Sequence, residues 1–429
     1  MMHWTSEALQ FKMKQGKVLV GRIGVMKEYI KKGSRIYWRG ISALFLGSFV
    51  TFALLYATQP LIPVFSEEFK IAPSYASLSV SLTTGFLAFF MLLMSWFSDA
   101  RGRKAVMAVA LFSSAVLAIG IAFCNNFSLL LVLRALQGIV LAGYPAIAMA
   151  YVNEEFDPSI SGLVMGIYIS GNSVGGLTGR IIVSTLTDFF SWHIALAGMG
   201  MIGLLVSIWF WINLPESCHF SPQKRALKEL IPALTKKLQN TELLMLNTIA
   251  FLIMGGFVTL YNYIGYSLMA PPYNLSQTVV GCIFVVYLIG TFSSTYMGKL
   301  ADSYGSSRVL CLSIGIMLLG CLITVHGNLY IKIMGVAVLT FGFFGSHSVA
   351  SSWVGKCALS DKAQASSLYL LFFYLGASMI GTIGGQFLSW YGWEGVVFLI
   401  SFALVIALIL STILLIKEIR YKIYTATQI

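Results

Sequence analysis

Ser95-Trp96-Phe97-Ser98-Asp99-Ala100-Arg101-Gly102-Arg103-Lys104 is a compact charged turn between two long apolar runs. Much later, Gly298-Lys299-Leu300-Ala301-Asp302-Ser303-Tyr304-Gly305-Ser306-Ser307-Arg308 occupies the same setting. Asp99 and Asp302 are 203 positions apart, as are Gly102 and Gly305, and also Gln59 and Asn262. Gly138 and Gly342 differ by 204, Trp192 and Trp393 by 201. One coincidence would mean little. Five markers at a near-constant shift indicate a chain built twice from one unit.

Outward from the two turns, apolar runs alternate with short polar loops. Each run reaches about 20 residues, enough for a helix to cross the hydrocarbon core of a bilayer. The first six lie near 40–63, 75–97, 104–124, 128–151, 161–186 and 194–214. The second six lie near 242–269, 276–298, 307–326, 330–354, 364–389 and 394–416. Between them runs a polar stretch holding Pro215, Pro222 and Pro232. The expected organisation is a basic segment 1–39, a six-helix bundle 40–214, a linker 215–241, a second bundle 242–416 and a tail 417–429.

Composition agrees. The chain is 58% hydrophobic and 10% charged, against about 25% charged in a soluble domain. So little polar surface cannot keep a globule of this size in water, whereas lipid suits it. The net charge of +12 is organised by topology and does not point to nucleic acid. With the N-terminus on the cytoplasmic side, 24 of 28 Lys and Arg fall in cytoplasmic segments and only Lys70 and Lys332 in outer loops. That split favours an even number of spans with both termini cytoplasmic. Residues 1–39 carry nine cations and no leading apolar core, so they read as a loosely ordered leader, or as sequence upstream of a start at Met26, before a lipid-touching amphipathic segment. The six cysteines form no C-x-x-C pair, which leaves no disulfide framework or zinc site to expect.

At the turn, the resemblance to a known family becomes specific. Asp99-x-x-Gly102-Arg103-Lys104 resembles the loop 2–3 signature of the major facilitator superfamily, with Ser95 where glycine is usual and Ala100 where a basic residue is usual. Arg134-x-x-Gln137-Gly138 is similar to its span 4 motif. Gly171-Asn172-Ser173-Val174-Gly175-Gly176 looks like its antiporter motif, with Asn172 in place of proline. Leu214-Pro215-Glu216 closing span 6 is also family-like, and the resemblance covers roughly residues 35–420. It implies an all-α membrane protein of 12 transmembrane helices in two six-helix pseudo-symmetric bundles, a monomer in a bacterial inner membrane. It also implies secondary active transport of a small-molecule substrate by alternating access, with proton-coupled efflux first and an uptake symporter as the alternative. In the family the loop latches the cytoplasmic face, which nominates Asp99, Gly102, Arg103, Asp302 and Gly305.

The residues add their own candidates. Arg134 is a cation inside span 4, with Gln137 and Gly138 on the same helical face; it either faces the interior or snorkels to an interface. In span 5, Gly171, Gly175 and Gly179 make a ribbon that lets a neighbouring backbone approach, echoed by Gly381 and Gly385 in span 11. Beside the ribbon run Asn172, Arg180 and Asp188, readable as an outer Arg–Asp pair or as a substrate contact. Gln59, Asn262 and Tyr263 offer uncharged polar groups to a cavity or to packing. His347 within span 10 either titrates during transport or is bonded to a neighbour. All sixteen carboxylates fall in loops or near span ends, so none balances a cationic drug at mid-membrane, and a neutral or anionic solute is expected instead. No nucleotide-binding or H-E-x-x-H motif occurs, so no cofactor is expected, and a membrane-embedded enzyme or a receptor is a remote alternative.

Overall fold

The computed structural model describes residues 29–220, 238–357 and 362–426, and the chain in these segments is nearly all helix. The leader up to residue 28 and the five cations of the linker therefore lie outside the described residues. Among the described residues no strand forms, and the only bridge pairs Ile30 with Phe156.

Twelve long rods follow in chain order. They are α1 (Arg35–Glu68), α2 (Pro73–Arg101), α3 (Arg103–Ala122), α4 (Phe127–Glu155), α5 (Ser161–Phe189) and α6 (Trp192–Asn213). Then come α7 (Thr241–Met269), α8 (Gln277–Tyr304), α9 (Ser306–Ile323) and α10 (Leu329–Cys357). Gly392, with φ 63°, splits the last helical stretch into α11 (362–391) and α12 (393–426). Ten stretches are long and apolar enough to cross a membrane, and the tenth holds both α11 and α12. The rod α5 is not among them. Its 29 residues suffice for a crossing, but Asn172, Arg180, Asp188 and its glycines dilute the apolar content. Large side chains such as Phe89, Leu205, Trp211, Phe292 and Phe398 point outward, a surface that fits lipid.

Two boundaries differ from expectation. The tail beyond residue 417 continues α12 as helix to Ala426. Lys332, expected in an outer loop, sits in the first turn of α10 and is buried.

The rod α1 is broken. A helix ends at Tyr56, a 3₁₀ turn covers Gln59–Leu61, and a short helix follows at Ile62–Glu68. Pro60 and Pro63 have no N–H to continue the ladder. The two charged turns fold alike: Gly102 has φ 102° and ψ 150°, Gly305 φ 95° and ψ 142°. Such left-handed angles strain any residue with a Cβ, which explains why glycine stands at both copies.

Within the first half, α5 lies along α1, α3 along α6 and α2 along α4. A Cβ on Gly171 would come within 2.5 Å of the Phe45 carbonyl oxygen, and one on Gly179 within 2.7 Å of Ala53. Gly175 meets the Phe49 backbone between them. The ribbon thus seats α5 on every fourth residue of α1. In the second half Gly376 and Gly384 of α11 face Phe251, Thr259 and Tyr263 of α7. Gly381 faces Asn262 and Val258, whereas Gly385 faces Ser74 of α2 and so packs across the halves.

The halves meet where α2 lies on α11 and α5 on α8, rods that exchange places under the 203-residue shift. The joining contacts cluster at the end away from the described termini. Ser378 donates to the Ser81 carbonyl at 2.7 Å, Tyr266 to that of Ile62 at 3.1 Å and Gln277 to that of Pro60 at 2.6 Å.

Candidate functional site

The break in α1 brings α1, α5 and α8 together around Arg180. This side chain leaves α5 beside the glycine ribbon and enters the seam between the halves. Its Nε donates to Gln59 Oε1 at 2.7 Å, and Nη1 donates to the Gly176 carbonyl at 2.5 Å. Three rings surround the guanidinium, with centroids at 4.2 Å for Tyr56, 4.8 Å for Phe284 and 5.0 Å for Tyr287. Aromatic faces attract a cation without neutralising it. The residue is only 2% exposed, and no carboxylate pairs with it among the described residues. Asp188 accepts instead from the Thr278 amide at the start of α8 at 3.2 Å, so the Arg180–Asp188 pair is not made.

Gln59 continues the chain across the seam. Its Nε2 donates to Asn262 Oδ1 at 2.8 Å, joining the two positions that the internal shift had matched. Asn262 Nδ2, Ser184 Oγ, Gln277 Oε1 and Ser81 Oγ are buried nearby without a protein partner. Unmet buried polar atoms are few in folded proteins and call for an explanation; here they border the seam.

Arg134 is placed differently. It lies inside the first half, 1% exposed, and holds four oxygens. Nε donates to the Ser79 carbonyl at 2.6 Å, Nη1 to the Leu54 carbonyl at 3.0 Å and to Gln137 Oε1 at 2.5 Å, and Nη2 to the Leu55 carbonyl at 2.7 Å. Leu54 and Leu55 end the regular part of α1, where the break frees their carbonyls. Gln137 Nε2 in turn donates to the Ser114 carbonyl at 2.9 Å. The cluster borders a void of about 10 Å³ lined also by Thr58, Ala118 and Leu196, which is internal to the first half and not on the seam.

The remaining candidates divide between packing and the second half. Asn172 Oδ1 accepts from Ser48 Oγ on α1. Tyr263 is fully buried and donates to the Gly381 carbonyl at 2.7 Å. His347 Nδ1 lies 3.0 Å from Tyr369 Oη, with the Phe373 ring at 4.5 Å. At the charged turn, Arg103 binds Glu154 of α4 with both Nε and Nη2, at 3.0 and 2.6 Å, and reaches Ser98 Oγ at 3.2 Å. In the second copy Asp302 meets Lys356 of α10 at 3.4 Å. Both pairs stay within their own half, with the signs exchanged. Asp99 lies in the last turn of α2, and the latch expected of its carboxylate falls outside what is described.

The cage rings Phe284 and Tyr287 were not singled out from sequence. They are three residues apart, as same-face neighbours are, but the 3₁₀ turn at Ile283–Val286 that aims them carries no local signature.

Comparison with known proteins fits this architecture. The family model described as Major Facilitator Superfamily matches residues 44–273 and again 246–425. The MFS-type transporter YybF of Bacillus subtilis is 47% identical over 89% of this chain and 95% of its own length. Inner membrane transport protein YnfM of Escherichia coli is 44% identical, covering 90% and 92%. The multi-drug resistance efflux pump PmrA of Streptococcus pneumoniae is 26% identical, covering 90% and 100%. The fold matches a bacterial homologue of the lysosomal transporter Spinster in an inward-facing, unoccupied conformation, with TM-score 0.70 and 15% identity over 89% and 96% of the two chains. Relatives that match nearly end to end bear transporter names and no enzyme names, and with both halves matched by one family model, the chain belongs to the Major Facilitator Superfamily.

Proposed function

We propose that this chain exports a small organic anion, or a neutral solute with a strong acceptor, from a bacterial cytoplasm in exchange for protons. The observation that carries the reading is Arg180. A cation buried without a counter-ion in a low-dielectric seam attracts negative charge strongly. Two hydrogen bonds leave part of its five-donor fork unused. The bordering orphan atoms of Asn262 and Ser184 would add polar contacts, and Tyr56, Phe284 and Tyr287 would hold an apolar body.

With both termini cytoplasmic, the contacts between the halves close the periplasmic end, which corresponds to an inward-facing state. Rocking the halves about the Gln59–Asn262 link would expose Arg180 to the other side. Export is favoured by the likeness to PmrA, named as an efflux pump. For proton coupling we assign His347, the one imidazole among the described residues that lies between rods of the second half and bonds a phenol.

The test is purified protein in proteoliposomes under an imposed pH gradient, screened with organic anions, neutral solutes and organic cations. Anion movement driven by the gradient, lost in Arg180→Gln, is the expected result. Gradient-driven movement of organic cations alone would overturn the substrate class, and accumulation in right-side-out but not inverted vesicles would reverse the direction.

A further inference from the structure

Near the sealed end lies a second cavity, where the start of α2 meets the second half. It measures about 500 Å³ and is lined by Pro73, Tyr266, Ser267, the Ala270–Tyr273 loop, Lys332, Leu388, Ser389, Gly392 and Trp393. That volume is in the range of small-molecule sites, roughly 300–1,000 Å³. Its walls come from the ends of α7 and α11 and the starts of α2, α10 and α12, and no carboxylate is among them.

Lys332 is the built element. It is 4% exposed, and its Nζ has one hydrogen bond, to Ser267 Oγ at 3.1 Å. An ammonium carries three donors, so two are free to face the cavity. The rings of Tyr273 and Trp393 flank the charge at 5.6 and 5.1 Å. Both rings are pinned: Tyr273 Oη donates to the Gly327 carbonyl at 2.6 Å, and Trp393 Nε1 to the Thr324 carbonyl at 3.0 Å. A buried cation whose attraction is left to ring faces has not recovered what desolvation removed. A carboxylate beside Nζ would.

We infer that this pocket binds a small organic monoanion from the solution on the sealed side, its carboxylate on Lys332 and Ser267 and its apolar body on Trp393, Tyr273 and the Pro271–Pro272 wall. The site is separate from Arg180, across the Tyr266–Ile62 contact, and does not depend on the direction or coupling proposed above.

Benzoate is a suitable probe, and Arg180→Gln a suitable background because it removes the cation proposed to bind anions in the seam. By calorimetry in phosphatidylcholine nanodiscs, the Arg180→Gln protein is expected to bind benzoate with one site and benzamide at least tenfold more weakly. Adding Lys332→Met is expected to weaken benzoate at least tenfold, and Lys332→Arg to keep it within about threefold. Equal binding of benzoate and benzamide overturns the proposal without any change at Lys332. So does unchanged benzoate binding in a folded Lys332→Met protein. Loss of benzoate binding when phosphatidylglycerol replaces phosphatidylcholine would give the pocket to a lipid headgroup and overturn the assignment to a dissolved anion.

Discussion

Arg134 and Arg180 are both arginines 2% exposed or less in the first half of the chain, yet their surroundings differ in kind. Arg134 meets three backbone carbonyls and one amide oxygen; Arg180 meets one of each and three ring faces. The first has four of its five donors spent on fixed oxygens of α1, α2 and α4. The second keeps capacity in reserve, at a seam that must open and close. Depth of burial does not distinguish them; the chemistry of the acceptors does. A saturated buried cation belongs to the architecture, whereas an unsaturated one is available to a ligand.

The largest expected effect follows from the saturated member. Arg134→Met removes four charge-assisted hydrogen bonds, each worth ~1.5–3 kcal/mol. The Leu55 carbonyl loses its side-chain donor, whereas Ser79 keeps the Thr58 and Thr83 hydroxyls and Leu54 a long bond from the Ala57 N–H. We expect a loss of at least ~3 kcal/mol, seen as aggregation in size-exclusion chromatography or a collapsed thermal transition. Arg134→Lys is expected to recover only part of this, because three donors from one atom cannot reach four separated oxygens. A fully stable Arg134→Met protein that fails only in transport would erase the contrast.

Gly175→Val comes next. Its Cβ would collide with the Phe49 backbone, and overpacking of this kind costs ~1–3 kcal/mol. Because the ribbon sets how deeply α5 sits on α1, the substitution moves Arg180 without altering it. The expected result is a lowered melting temperature together with weakened anion transport. Unchanged transport would mean that the position of α5 does not govern the site.

Arg180→Gln should show the reverse balance. Stability is expected to shift by less than ~1 kcal/mol, since removing an ion without a counter-ion also removes its desolvation penalty. Anion transport at subsaturating substrate is expected to fall at least tenfold, or ~1.4 kcal/mol. Arg180→Lys should restore part of it through charge alone. Should Arg180→Gln destabilise the protein as much as Arg134→Met, the two arginines would be of one kind.

Much of the scaffold was legible in the chain itself. Runs of apolar residues mark where each rod lies, although α8 and α12 run past their expected ends to Tyr304 and Ala426, and the matched positions of Gly102 and Gly305 anticipate two turns with nearly the same backbone angles. The Gln59–Asn262 spacing anticipates two residues that touch. The use made of each cation was not legible. Arg134 stands on one helical face with Gln137, but two of its four acceptors, the Leu54 and Leu55 carbonyls, are offered where another rod breaks. Lys332 looks like a loop charge until α10 is seen to begin at Leu329 and bury it. Arg180 and Asp188 lie two turns apart on α5, about 12 Å along its axis, and the amide at the start of α8 claims the carboxylate instead. For Arg134 and Asp188 the deciding partners are backbone groups remote in sequence, which have no letter of their own; for Lys332 they are the side chains of Ser267, Tyr273 and Trp393.

The smallest effect tests whether the reserve at Arg180 is shared across the seam. Gln59 gives its amide N–H to Asn262 and its oxygen to Arg180. Gln59→Leu breaks both bonds and leaves Asn262 with its whole side-chain amide buried and unpaired. Asn262→Leu leaves Gln59 Nε2 unpaired but Arg180 untouched. Each single change is expected to lower stability by ~1 kcal/mol, and the double change by less than the sum, because an apolar pair strands nothing. Transport should separate them: a few-fold rise in KM for Gln59→Leu, which loses the hold on Arg180, and a smaller rise for Asn262→Leu, which loses only the Asn262 contact with the solute. If the two behave identically in transport while coupling in stability, the amide bridge serves only to hold the halves together, and Arg180 acts alone.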